Sequence, residues 1–126
     1  INIMIHVTCA VIRDGERYLL CQRSELMKMP LKWEFPGGKV EEGESLEDCL
    51  IREIQEELAI FITIEGALDQ VVHNYGNFSI TLYPFLCTIK EGTINLREHA
   101  QYKWVLQEEF PMYDLADADL PIINQL

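Results

Sequence analysis

Three glutamates in the stretch REIQEELAI, namely Glu53, Glu56 and Glu57, stand at spacings i, i+3 and i+4. On a helix these positions are neighbours on one face, and like charges there repel by roughly 0.2–0.5 kcal/mol per pair. The chain is already acidic, with a formal net charge of -11, so the repulsion asks for a reason. Three chemistries use such a cluster. It can be a solvated helix face, since Glu is a good helix former. It can be a carboxylate pair acting as acid and base without metal. It can also be a site for Mg2+, which takes hard oxygen ligands in octahedral geometry and relieves the repulsion when it binds. The turn at Pro36, Gly37 and Gly38 just upstream favours the cation, because glycine-rich backbone can approach a ligand closely and lend carbonyl oxygens. An acidic cleft then suits a metal-bridged polyphosphate: the cation neutralises both partners and polarises the phosphoryl group under attack.

The elements that must hold these residues follow from pattern. Ser45 with Asp48 three residues on is a capping-box signal for a helix start. Leu46, Leu50, Ile54 and Leu58 continue at spacing four, an apolar stripe for the core. On a 100° wheel the three acids fall beside that stripe, with Glu57 nearest the apolar edge and so the least solvated. Upstream, residues 3–12 read as a strand, Asp14-Gly15 as a hairpin turn and residues 17–23 as the returning strand. Residues 24–33 have no clean period and read as a loop, and FPGGK at 35–39 as irregular backbone. Residues 60–74 and 78–90 are strand-rich, with Tyr75-Gly76-Asn77 as the turn between them, and 102–106 is a further strand. Asp119, Leu120 and Pro121 look like the start of a C-terminal helix with Asp119 as N-cap. Strands, helix, strands, helix predict an α/β fold with a mixed sheet and helices packed on it.

Composition narrows the classes. A chain of 126 residues with 48% hydrophobic and 25% charged residues fits one domain, 1–126, with a real core. The acidic balance argues against a nucleic-acid polymer or an anionic membrane surface as partner. No apolar run approaches the roughly 18 residues that span a bilayer. The N-terminal INIMIHVTCAVI lacks a basic flank and a small-residue cleavage site, so it does not read as a signal peptide. Cys9, Cys21, Cys49 and Cys87 form no C-x-x-C pair and read as small buried side chains in a reducing, cytoplasmic setting. His6, His73 and His99 show no zinc-ligand spacing.

Read whole, GKVEEGESLEDCLIREIQEELAI runs Gly38, five residues, Glu44, seven residues, then Arg52-Glu53-Ile54-Gln55-Glu56-Glu57-Leu58-Ala59-Ile60. It closely resembles the Nudix box, G-x5-E-x7-R-E-U-x-E-E-x-G-U, with U a bulky aliphatic. One defined position departs: Ala59 stands where the motif has glycine, and is expected to end the helix without a left-handed backbone. WEFPGGK, CQR at 21–23 and the terminal PMYDLADADLPIINQL are similar to the MutT-type branch, nucleoside triphosphate pyrophosphohydrolases, so the likeness covers nearly the whole chain. It implies a Nudix-type α/β/α sandwich, and a nucleoside triphosphate as substrate for a monomer or homodimer.

The resemblance implies roles residue by residue. Glu53, Glu56 and Glu57 would hold Mg2+ (or Mn2+), helped by the Gly37 carbonyl and by Glu98 outside the box. Glu53 would be the general base, oriented by Arg52. Without the resemblance, Arg52 could be an exposed i,i+4 partner of Glu56. Glu44 has a metal-adjacent or helix-capping role, and the two are not separable from sequence. Arg23 and Lys39 resemble phosphate contacts, and cations beside the glycine turn suit a polyphosphate. For the base, an asparagine of the oxidised-guanine enzymes is matched by Asp119. An ionised Asp offers acceptors only, which suits the exocyclic amine of cytosine or of adenine. LADADLPI also resembles the CTP and 5-methyl-dCTP pyrophosphohydrolases, so a cytosine nucleotide is the first expectation and 8-oxo-dGTP the second. Tyr75, Phe78 and Phe35 are candidates for stacking on the base. Rival readings are a non-catalytic Nudix-fold binding module, opposed by the presence of Arg52, Glu53, Glu56 and Glu57, and a hydrolase of dinucleoside polyphosphates or nucleotide sugars, opposed by the short chain and WEFPGGK.

Overall fold

A computed structural model of the chain describes residues 3–126; residues 1–2 of the apolar N-terminal stretch lie outside the described residues. Strand β1 (Ile3–Asp14) is the central strand. Its segment 8–12 is buried without a break, as expected of a strand covered on both faces. Successive side chains divide between two cores: Cys9 and Val11 pack with Leu20, Phe35, Phe110 and Ile122 on one face. Ala10 and Ile12 pack with Leu19, Leu50, Ile54 and Leu58 on the other. This period-2 division of one strand is what makes three layers.

The sheet is mixed. β1 runs parallel to β7 (Phe78–Glu91), from Ile3 opposite Phe78 to Ile12 opposite Cys87. On its other edge β1 changes partners. Val7–Cys9 pair antiparallel with β4 (Gly37–Lys39), and Arg13 and Asp14 with β2 (Arg17–Gln22). The predicted hairpin turn is present, with Gly15 at φ +61°. β2 carries β3 (Trp33–Glu34) and β8 (Gln101–Leu106), while β5 (Phe61–Ala67) and β6 (Val71–Asn74) line the far side of β7. The expected 60–74 run is thus two strands.

Helix α1 spans Leu46–Leu58, and the Ser45 side chain accepts from the Asp48 N–H as the capping signal predicted. Such a cap stabilises by about 1 kcal/mol. Leu50, Ile54 and Leu58 are fully buried. The helix ends at Ala59 with φ 60° and ψ 29°, a left-handed residue whose N–H reaches the Gln55 carbonyl. This corrects the expectation for Ala59: the motif's glycine geometry is kept although the glycine is not, at a cost of roughly 1–2 kcal/mol for a residue with Cβ.

Two further expectations are corrected. FPGGK is not irregular throughout, because Gly37–Lys39 pair with β1. A Cβ at Gly37 would collide with the Thr8 backbone, so the glycine is there for close strand approach, a tertiary reason that turn signals do not report. The C-terminal helix α2 is short, Leu120–Ile123, and follows a 3-10 turn at Asp117–Asp119. Asp119 precedes it in a helical conformation and makes no side-chain cap bond, so it is not the predicted N-cap.

Candidate active site

The helix acids are organised by Arg52. Its Nε and Nη2 donate to the two oxygens of Glu44 at 2.7 and 3.0 Å. Its Nη1 donates to Glu53 Oε1 at 3.0 Å and Glu56 Oε2 at 3.2 Å, and Nη2 also donates to the Lys39 carbonyl at 3.3 Å. The fork on Glu44 is bidentate, the strong form of this pair, and it holds the Glu44 carboxyl down to about 2. Ser45, and not Glu44, caps the helix, and Glu44 holds the guanidinium that also bonds Glu53. The exposed-pair alternative for Arg52 accounts for one of its bonds only.

Gly38 is fitted to this cluster. A Cβ there would collide with the Glu53 carboxylate, so strand β4 lies against that acid because position 38 has no side chain. Burial, opposed by Arg52, raises the Glu53 carboxyl. Glu57 lies deeper, 7% exposed, and its Oε2 is buried with no hydrogen-bond partner among the described residues. Burial first, then the charges of Glu34, Glu53 and Glu98, push it up to about 9. The sequence expectation that Glu57 is the least solvated helix acid holds.

Among the described residues no three acids or histidines stand at ligand distance around one point. The donor set nevertheless fits a hard divalent cation: an orphaned carboxylate oxygen on Glu57, the Glu53 carboxylate pressed against a glycine cradle, and the charge of Glu98 acting on both.

A cavity of about 320 Å³ opens beside the acids, within the size range of small-molecule sites. Glu57 lines it, and so do Arg23, Phe35, Gly37, Lys39, Tyr75, Phe78 and Asp119. The structure thus brings the predicted phosphate and base candidates around one space. Arg52, Glu44, Glu53, Glu56 and Glu98 do not line it. Arg23 is not free: its Nη1 donates to Glu34 Oε1 at 2.8 Å and its Nε to the Lys28 carbonyl. Lys39 is exposed. Tyr75 and Phe78 stack with ring centroids 5.2 Å apart, and the Tyr75 hydroxyl accepts from the Ala118 N–H. Phe35 is 2% exposed and meets Phe110 edge-on, so its ring belongs to the core while its backbone serves the site: the Phe35 N–H donates to Asp119 Oδ2 at 2.7 Å.

Asp119 is buried, and burial, with the charge of Glu34, raises its carboxyl well above the usual range. Glu34 and His99 were not singled out from sequence. Glu34 receives Arg23 on one oxygen and meets His99 Nε2 at 2.9 Å on the other. The signal for Glu34 was its place between buried Trp33 and Phe35, where a strand turns it to the opposite face; His99 had no periodic signal.

Residues 3–126 match the family model described as NUDIX domain. A CTP pyrophosphohydrolase of Escherichia coli (strain K12) is 35% identical over 121 residues, 96% of this chain and 90% of that protein. An 8-oxo-dGTP diphosphatase of Proteus vulgaris is 41% identical over 85 residues, 67% of this chain and 76% of its own. The solved MutT protein from Methanosarcina mazei Go1 superposes with a TM-score of 0.89 at 28% identity, covering 98% of this chain and 93% of that one.

Proposed function

The chain belongs to the NUDIX family and is a nucleotide pyrophosphohydrolase; on that premise we propose that it acts on cytosine nucleoside triphosphates, releasing the monophosphate and pyrophosphate. The observation that carries the base assignment is Asp119. It lines the cavity with one oxygen held by the Phe35 N–H and with no hydrogen bond on the other among the described residues. In its ionised form an Asp held in this way offers an acceptor to the exocyclic amine of cytosine. The Escherichia coli relative named a CTP pyrophosphohydrolase supports the same reading.

Glu53 is the general base, taking the proton of a water that attacks the β-phosphorus while the nucleoside monophosphate leaves. Arg52 holds the Glu53 carboxylate in place. Bound at Glu53, Glu56, Glu57, Glu98 and the Gly37 carbonyl, Mg2+ (or Mn2+) would neutralise the polyphosphate and polarise the phosphorus. Arg23 and Lys39 meet the phosphates from the cavity wall. The four cysteines are free and buried, in keeping with their reading as small core side chains.

One observation favours a second substrate. The raised Asp119 carboxyl holds its proton more readily than an ordinary Asp, and a protonated carboxyl both donates and accepts, as asparagine does. That pattern suits the O6 edge of 8-oxo-dGTP, the substrate in the name of the Proteus vulgaris relative.

The test is kcat/KM with Mg2+ for CTP, dCTP, 5-methyl-dCTP and 8-oxo-dGTP, with product analysis. Cytosine triphosphates should lead and yield pyrophosphate, and Asp119→Asn should move preference toward 8-oxo-dGTP. Orthophosphate as sole phosphate product defeats the reaction assignment. An unchanged base ranking in Asp119→Asn removes Asp119 from base reading.

A further inference from the structure

Between β7 and β8, residues 92–100 form neither helix nor strand and are mostly exposed. Ile94 and Leu96 are half-buried, and His99 alone in the segment is buried, its side chain 0% exposed. Burying a polar ring costs about 1–3 kcal/mol unless it is hydrogen-bonded, so a histidine sunk in an open loop implies a specific partner. That partner is Glu34, whose Oε2 lies 2.9 Å from His99 Nε2. A carboxylate only accepts, which assigns the ring proton to Nε2. Nδ1 is buried with no partner among the described residues, so this one bond anchors the ring. The other Glu34 oxygen accepts from Arg23 Nη1 at 2.8 Å.

The backbone around His99 is pinned on both sides. The Asn95 and Arg97 N–H groups donate to the carbonyls of Leu58 and Glu57 at the end of α1, and the Ala100 N–H donates to Gln22 at the end of β2. Glu98 sits between the Arg97 and His99 pins. Its charge reaches the carboxyls of Glu53 and Glu57. One residue thus stands between an acid beside the helix cluster and the Glu34–Arg23 pair on the cavity wall.

We propose that His99 is a positioning residue that couples the two halves of the site: its ring, seated on Glu34, sets the backbone that presents Glu98 to the acids of α1, and holds Glu34 so that Arg23 stays on the cavity wall. This rests on the assignment of Glu98 to the metal side and Arg23 to the phosphate side. Side chains that orient metal ligands typically change metal affinity by about 10- to 100-fold when removed.

The experiment compares His99→Ala, His99→Gln and His99→Asn. The Gln amide nitrogen stands where imidazole Nε2 stands and reaches Glu34, whereas the Asn amide stands at Nδ1 and does not. Mn2+ affinity is measured by electron paramagnetic resonance without nucleotide, and kcat and KM with CTP and Mg2+, at a temperature below every variant's melting point. His99→Ala and His99→Asn should bind Mn2+ about tenfold more weakly and raise KM. His99→Gln should recover most of both, while Glu98→Gln should weaken Mn2+ without raising KM. Native Mn2+ affinity in His99→Ala or His99→Asn, or a Gln variant as weak as Ala, overturns the proposal, since a merely structural histidine lowers the melting point alone. If His99→Ala does not fold, the Asn and Gln pair carries the comparison. Native protein that binds Mn2+ but hydrolyses no triphosphate defeats the functional reading, and the Mn2+ comparison still decides on His99.

Discussion

Replacing Glu57 with Gln should change how stability of the metal-free protein depends on pH. Glu57 is 7% exposed and one of its oxygens has no partner among the described residues. Burial pushes its carboxyl up to about 9, with the charges of Glu34, Glu53 and Glu98 adding to the rise. In the unfolded chain a Glu titrates near 4.3, about the model-peptide value. Between these values the folded protein keeps a proton that the unfolded chain has released. The stability this proton confers is complete below the unfolded value, falls as pH rises, and is lost above about 9. Each pH unit is worth about 1.4 kcal/mol, so from a pH of about 5.5 to about 8 the loss is bounded at about 3 kcal/mol. Side-chain rearrangement and water entry reduce it, and about half of that bound is the expected size.

Glu57→Gln keeps the volume and removes the titration. Urea unfolding of both proteins with chelator, at about pH 5.5 and about pH 8, gives a difference in which the other titrating groups cancel to first order. The variant should gain about 1.5 kcal/mol on the native protein between the two pH values. A stability difference independent of pH, or one that moves in favour of the native protein as pH rises, refutes the account of Glu57. Saturating Mg2+ at the higher pH should then favour the native protein, by about 2.7 kcal/mol at a hundredfold excess over Kd, and the variant much less.

Gly38→Ala places a Cβ against the Glu53 carboxylate, and should lower kcat at least about tenfold while circular dichroism stays native; normal turnover would separate Gly38 from Glu53. Arg52→Lys keeps the charge but loses the fork that spans Glu44, Glu53 and Glu56. It should also cost at least about tenfold in kcat, read by steady-state kinetics. Ala59→Gly relieves the left-handed backbone at the end of α1. It should raise the melting temperature by a few degrees, equivalent to about 0.5–1 kcal/mol, and a fall would mean that the Ala methyl packs.

Legibility from sequence followed the range of the interactions. Helix α1 was readable because both of its signals are local: Ser45 bonds a group three residues away, and the Leu50, Ile54 and Leu58 stripe repeats at one turn. The hairpin at Asp14-Gly15 is local in the same sense. The pairing of Gly37–Lys39 with β1 was not readable, because it depends on a partner some thirty residues earlier in the chain that turn chemistry cannot report. Asp119 was visible as a candidate but misread as a cap, since its acceptor bond comes from Phe35 across the fold. Ala59 was misread because the helix end imposes the left-handed conformation regardless of residue type. His99 lay in a polar stretch without period, and its significance exists only through Glu34.

The stretch that contains this pairing also touches both the helix acids and the proposed base reader. Along Trp33–Lys39, Glu34 takes Arg23 and His99, the Phe35 N–H holds Asp119, and Gly38 makes room for Glu53. The Trp33 backbone adds two bonds, to Asp114 and from Ala116, that draw the segment before Asp119 alongside. The acids of α1 and the carboxylate proposed to read the base are thus both referenced to one short stretch. Charge divides the same way. Arg52 bridges Glu44, Glu53 and Glu56 and offsets one of their three charges, while Glu57, facing the cavity, keeps an unpartnered oxygen. The repulsion at i, i+3 and i+4 is therefore not spread evenly over the helix face. Arginine relieves it in part on the outer side, and on the cavity side the proposed divalent cation would do so at Glu57.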